Sequence, residues 1–401
     1  MAIGALLRAP GFGAFLAGRT AAATGTWMER LALGWMVWEA TGSTGWLGAV
    51  AFLRLAPTLV AGPWGGVLAD RAGAVPALAR AEFALAAMLA ALAAAAWLGD
   101  PPPAALAAAA LALGAAQALA NAPAKAAVAR LSPPELVATA IPVNSVVFHA
   151  AAFVGPALAG VTIAVAGPAP VFLAAALASA AFAMVLRSGP PERRDSADLP
   201  AASSGFLAAL PPALHHPIIR PTLMLHAAFA LLLRPIVDLL PAVAGAVGSG
   251  GAAMLGLLTG AMGLGAAAGG AWLALRGGAP GLERRMLGGG AVAIAAALAL
   301  AAAQEAAVAA AALAVLGAAL TVRAAGGTTL VQLAVADALR GRVMAAWGVT
   351  LRVGAALGGL TLGLAAEAFG LRVVLAAAAA LAATALLRAR VGLRRAQARD
   401  L

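Results

Sequence analysis

Apolar residues fill runs of about 20 positions, the length a helix needs to cross the hydrocarbon core of a bilayer. Twelve such runs are predicted to be membrane helices, with limits near 12–38, 46–68, 75–98, 102–121, 139–166, 169–187, 219–244, 251–275, 285–303, 306–333, 343–366 and 371–389. The fold class read from this pattern is all-α. The alanine-rich stretches at 85–120 and 290–320 show the least contrast at their ends. Most links are short and leave no room for a soluble domain. The longest, 188–220, carries Pro190-Pro191, a charged run at 192–195 and Ser203-Ser204-Gly205, the composition of a solvated connector. It divides the runs six and six. The predicted organisation is an N-terminal bundle 1–187, a connector 188–218, and a C-terminal bundle 219–401 ending in a short basic tail.

The two halves echo each other. Residues 154–162 (VGPALAGVT) and 353–361 (VGAALGGLT) are identical at six of nine positions, and they fall in the fifth and eleventh runs. Equivalent places with equal direction fit parallel repeats about an axis normal to the membrane, with a site near the midplane between them.

Composition agrees with a membrane protein: 63% of the 401 residues are hydrophobic and 10% are charged. A soluble domain is charged at about a quarter of its positions. The net charge of +11 raises nucleic acid as a partner, but its distribution points elsewhere. Nearly all basic residues outside the runs fall on the even-numbered links, their helix mouths and the termini; only Arg372 falls on the opposite side. Short loops rich in arginine and lysine stay in the cytoplasm. Both termini are therefore expected inside, in a multi-pass protein of the cytoplasmic (inner) membrane. The absence of tyrosine and the single lysine beside many alanines and arginines point to a bacterial gene rich in G+C. The segment after Arg8 is too long for a cleavable signal.

Chemistry is narrowed by what is missing. There is no cysteine, so disulfides, thiol chemistry and cysteine-ligated metals are excluded. No Gly-x4-Gly-Lys-Ser/Thr occurs, which excludes ATP-driven transport by this chain alone. No nucleophile–base pair and no close His/Asp/Glu ligand spacing is found. The expectations are no enzyme, no cofactor, no metal and no nucleic acid, with lipids, protons and a small-molecule passenger as the partners of a monomer.

The link after the second run reads Gly66-Val67-Leu68-Ala69-Asp70-Arg71-Ala72-Gly73. It resembles the signature loop of the major facilitator superfamily, departing from it where Ala74 and Val75 replace a basic pair. The resemblance implies that Gly66, Asp70, Arg71 and Gly73 take part in conformational gating, with the start of the eleventh run as the neighbour of Asp70. The segment Gly155-Pro156-Ala157-Leu158-Ala159-Gly160 resembles the fifth-helix motif of the superfamily's antiporters, in which Gly155, Pro156 and Gly160 would form a packing and gating face. Other stretches, among them Gly25-Thr26-Trp27-Met28, Arg54-Leu55-Ala56-Pro57, Arg234-Pro235 and Leu339-Arg340-Gly341-Arg342, are similar to the drug- and siderophore-exporting branch that includes enterobactin exporters. That branch often has an acid at position 26, which is threonine here, and an amide at position 29, which is Glu29. The branch implies export from the cytoplasm, usually by proton exchange.

Six arginines lie inside the runs: Arg19, Arg30, Arg54, Arg234, Arg323 and Arg352. Only two acids, Glu29 and Asp238, are read at comparable depth; Glu82 and Arg80 are placed at a helix mouth. A charge at membrane depth costs about 3 kcal/mol on insertion scales, so such residues pair or line a wet cavity. An excess of cations points to an anionic passenger. At about 1.5 Å per residue, Glu29 and Arg54 lie at the same level of adjacent antiparallel helices, which predicts an ion pair. A substrate anion taking over Arg54 would release Glu29 to accept a proton. Asp238, four residues from Arg234, is the second coupling candidate, expected to meet it on one helix face. Pro235 between them is expected to kink the seventh run. Arg19, Arg30, Arg54, Asn144, Arg234, Arg323 and Arg352 are the substrate-binding candidates. Gly348 and Gly359 flank Arg352 on its own face. His149 and His226 lie in runs and are possible proton relays, whereas His215 and His216 are expected to be solvated. The resulting reading is a proton-driven exporter of a small anionic or amphiphilic compound, a siderophore-like acid or a drug. The rival readings are a lysophospholipid transporter of the same fold, and a membrane receptor or scaffold that transports nothing.

Overall fold

The computed structural model describes residues 2–189, 215–247, 251–276 and 281–397. Most of the expected connector therefore lies outside the described residues. All regular structure among them is helical. Lipid offers the backbone no hydrogen-bond partners, and a helix satisfies its own.

A short α1 (Ala2–Arg8) precedes α2 (Phe12–Thr41), the first span. The second span is built from α3 (Thr44–Leu55) and α4 (Pro57–Ala72). Spans three to six are α5 (Ala74–Leu98), α6 (Pro103–Leu131), α7 (Val137–Ala166) and α8 (Ala169–Ser188). The seventh span comprises α9 (Ile219–Leu232), a 3-10 turn (Arg234–Val237) and α10 (Leu240–Ala246). Spans eight to twelve are α11 (Ala252–Arg276), α12 (Leu282–Ala302), α13 (Ala306–Ala334), α14 (Asp337–Phe369) and α15 (Leu371–Gln397). Eleven stretches are long and apolar enough to cross a membrane. The remaining span is α2, which has 30 residues but carries Arg19, Glu29, Arg30 and Glu39. Its length is ample and its composition is set by the charges it holds.

Prolines and glycines explain where the helices stop. Pro57 has no N–H and its ring opposes the preceding turn, so the second span breaks at Ala56 where one continuous helix was expected. Gly73 sits between α4 and α5 at φ 88°, a conformation open to glycine and poor for any residue with a Cβ. Gly167 and Gly370 end α7 and α14 in the same way.

The helices form two compact units. One comprises α1, α2, the end of α3 from Leu53, and α4 to α8; the other comprises Gly42–Phe52 and α9 to α15. The division thus crosses the chain within the second span as well as in the connector. Each unit is held by small residues that let backbones touch, the packing expected where lipid removes the hydrophobic drive between helices. In the first unit, a Cβ added at Gly155 would lie 2.8 Å from the Thr24 carbonyl oxygen and from the Trp27 Cβ, so α7 lies directly on α2. In the second, a Cβ at Gly354 would lie 2.7 Å from the Ala230 Cβ, so α14 lies directly on α9. Gly155 and Gly354 are the matched glycines of the sequence repeat. Side chains on the outer faces, such as Leu98, Val165 and Leu275, are almost fully exposed, as lipid contact requires.

Candidate functional site

Arg54 occupies the last turn of α3, just before the Pro57 break. Its Nη2 donates to Oε2 of Glu29 at 2.8 Å, and its Nε donates to Oε1 at 3.4 Å. The side chains are 10% and 2% exposed, so the predicted pair is present, two-pronged and withdrawn from solvent. A planar guanidinium fork matches a carboxylate in this way. Gly114 permits the approach, because α6 rests on the main-chain carbonyl of Arg54 with no room for a Cβ. Breaking such a pair by removing one partner costs about 3–5 kcal/mol, since the other charge is left buried.

Further polar groups lie on α2 and α7 of the same unit. Arg30 lies over the Trp27 ring at 5.5 Å, and Trp27 meets Phe148 edge-on at 5.9 Å. Trp27 Nε1 and Asn144 Oδ1 are buried with no hydrogen-bond partner among the described residues. A free donor and a free acceptor in one bundle are what a ligand could satisfy. Arg19 is not beside the pair; it interacts with Glu82, which also takes a hydrogen bond from Ser179. Glu82 is 3% exposed, which corrects its placement at a helix mouth. It is a third buried acid that sequence depth missed, and the Arg19–Glu82 couple ties α2 to α5.

In the second unit the seventh span departs from expectation. Arg234 opens the 3-10 turn and Asp238 caps it, with the Asp238 N–H donating to the Pro235 carbonyl at 2.9 Å. In a 3-10 turn residues four apart diverge by about 120°. The regular α-helical face expected for Arg234 and Asp238 is therefore replaced by a 3-10 turn containing Pro235. One terminal nitrogen of Arg234 and one carboxylate oxygen of Asp238 are buried.

Arg323 on α13 is 4% exposed. Its guanidinium lies 4.6 Å from the Phe229 ring centre, and Nη2 is 3.5 Å from Nδ1 of His226. The His226 ring stacks on Trp347 at 3.8 Å. Arg323 Nε has no hydrogen-bond partner and no carboxylate pairs with the side chain among the described residues. Gly289 lets α12 press on the Arg323 backbone, where an added Cβ would stand 3.1 Å from its nitrogen. A desolvated cation–π contact contributes about 2 kcal/mol, whereas an unpaired buried ion costs several. The ring does not offset the charge.

Arg352 is half-buried, with its guanidinium folded over Gly348. Gly359 does not share that space; it packs against Ala51, where a Cβ would sit 3.3 Å away. At the start of α3, Glu367 accepts from the Thr44 hydroxyl at 3.1 Å and the Gly45 N–H at 3.2 Å. Gly66, Asp70 and Arg71 are at least partly exposed on α4. Pro156 and Gly160 are buried on α7 beside Gly155. The side chain of His149 lies outside the described residues. His216 is half-buried rather than solvated, and its Nδ1 accepts from the N–H groups of Ile218 and Ile219 at the start of α9. No cluster of metal-ligating side chains occurs among the described residues.

Known structures share this fold. A bacterial homolog of the human lysosomal transporter Spinster, in an inward-facing and occupied conformation, superposes with a TM-score of 0.74 at 14% identity, covering 94% of this chain and 96% of that one. The nucleoside transporter NupG gives 0.71 at 15% identity over 94% and 98%. The xylose transporter XylE from E. coli gives 0.69 at 12% identity over 93% and 94%. No curated protein sequence matches the chain significantly. The family profile described as "Transmembrane secretion effector" matches residues 4–401. The buried charges thus belong to a multi-pass membrane transporter, and the chain is a member of the transmembrane secretion effector family of the major facilitator superfamily.

Proposed function

We propose that the protein is a proton-coupled secondary transporter that exports a small anionic or amphiphilic compound by alternating access, from a bacterial inner membrane with both termini in the cytoplasm. The observation that carries this reading is the buried two-pronged Glu29–Arg54 pair. An anion binding Arg54 releases Glu29, and the freed carboxylate takes a proton; a proton arriving first at Glu29 frees Arg54 for the anion. Family and fold are those of transporters, not enzymes. Outward direction follows the family's description as a secretion effector, and the passenger's charge follows the excess of arginines over acids within the membrane spans.

The pair also bears on coupling. Proton and anion each open the same pair; proton-driven export requires that they then cross in opposite directions, and the polarity of the driving gradient distinguishes that exchange from joint movement. The test is uptake into everted vesicles under pH gradients of both polarities, comparing an acidic siderophore with a lipophilic cationic dye. Gradient-dependent accumulation of the acid, lost in Arg54→Ala, is expected. Accumulation of the dye alone would overturn the anion reading, and movement of neither would favour a lipid passenger.

A further inference from the structure

Arg323 is the one of the six intramembrane arginines that combines near-complete burial with a terminal contact to a neutral-capable ring rather than a carboxylate. A guanidinium has five N–H donors. Here the hydrogen-bonding contact is with His226 Nδ1 at 3.5 Å, near the limit for such a bond, and Nε is left without a partner. The surroundings are aromatic: Phe229 covers one side, and His226 stands in front, stacked on Trp347. The three contacting residues come from two helices, Phe229 and His226 from α9 and Trp347 from α14. A guanidinium in a dry aromatic box is a fork with its counter-ion missing.

We infer that Arg323 is an anion-binding residue of the second unit, taking a carboxylate or phosphate group two-pronged when the His226–Trp347 stack moves aside. This rests on the reading of an anionic passenger and adds where its charged group docks. The fork geometry suits planar or tetrahedral oxyanions rather than a halide. His226 is the placeholder: its ring nitrogen gives the fork one weak acceptor, which a ligand's two oxygens replace. Trp347 leaves with it, so occupancy changes the surroundings of an indole. Gly327 on α13 seats the Trp347 ring in its present position, since a Cβ there would sit 3.1 Å from it.

The test uses the purified full-length protein in detergent at constant ionic strength. Tryptophan fluorescence and the thermal midpoint are followed on titration with benzoate, with lysophosphatidate and with neutral benzamide. The expected result is a saturable response to an anion and none to benzamide. A response to benzoate identifies a small acid, and a response to lysophosphatidate alone identifies a lipid headgroup; either supports the site. Arg323→Met should weaken anion binding by about tenfold or more, while its own midpoint stays level or rises because an unpaired buried charge is gone. Arg323→Lys keeps charge without the fork and should bind between the two. Trp347→Phe should remove the fluorescence change and keep the midpoint shift. Binding is read in detergent without a gradient, so its outcome is independent of the vesicle transport that tests the proton-coupled reading. An equal response to benzamide, or anion binding undiminished in Arg323→Met, would overturn the assignment. So would a lowered midpoint in Arg323→Met with no anion response in the unaltered protein, the behaviour of a structural arginine.

Discussion

Arg54 and Arg323 are buried arginines in the two units of one repeat-built protein, and their charges are met differently. Arg54 meets Glu29 with two hydrogen bonds. Arg323 meets a histidine nitrogen and the face of a phenylalanine. Both units pack with the same device: Gly114 rests on the Arg54 carbonyl in the first unit, and Gly317 rests on the Met262 carbonyl in the second. The contact in the second unit is thus made on an uncharged residue, and no charge is needed for packing there. The repeat fixes backbone contacts, and charges are added to it asymmetrically. A charge that the packing does not require is one to explain by ligand or coupling.

The largest expected effect breaks the pair itself. Glu29→Ala or Arg54→Ala alone should each destabilise the folded protein by about 3–5 kcal/mol, because the remaining charge is stranded. The double replacement Glu29→Leu with Arg54→Met should recover most of that loss, because a buried pair is often no better than apolar packing. Thermal midpoints of the four proteins complete the cycle; additive losses would show that the two side chains do not act as a pair. Arg323→Met, by contrast, should cost little.

A smaller effect examines the shared scaffold. Gly114→Val and Gly317→Val should each lower stability by about 1–3 kcal/mol, since the new Cβ meets a main-chain carbonyl on the neighbouring helix. Similar losses in the two units, read as yield of folded protein and thermal midpoint, would support a packing device shared by both units. Loss at only one glycine would break it.

Much of this was legible in the chain because membrane helices are long and depth follows residue number. That arithmetic put Glu29 and Arg54 at one level, and they meet. The repeat at Gly155 and Gly354 was legible because close helix contact demands a missing Cβ, and both glycines lie against a neighbour. Depth says nothing about rotation around a helix, however, so Arg19 was not matched to Glu82. Glu82 was read with Arg80 at the mouth of the third run, although residues two apart face different ways on a helix. Arg234 and Asp238 were matched by an α-helical spacing that Pro235 abolishes locally. The surroundings of Arg323 depend on Trp347 and Phe229 from other spans, which no spacing rule joins; the one local signal was His226 and Phe229, three apart on one face.

The central claim is that Glu29, held by Arg54, couples proton and passenger. The most direct test compares Glu29→Gln with the unaltered protein in everted vesicles, once under an imposed pH gradient and once in counterflow, where labelled passenger exchanges with unlabelled passenger and no gradient is needed. The account predicts that Glu29→Gln keeps counterflow and loses gradient-driven accumulation. Gradient-driven accumulation at the unaltered level in Glu29→Gln would contradict it.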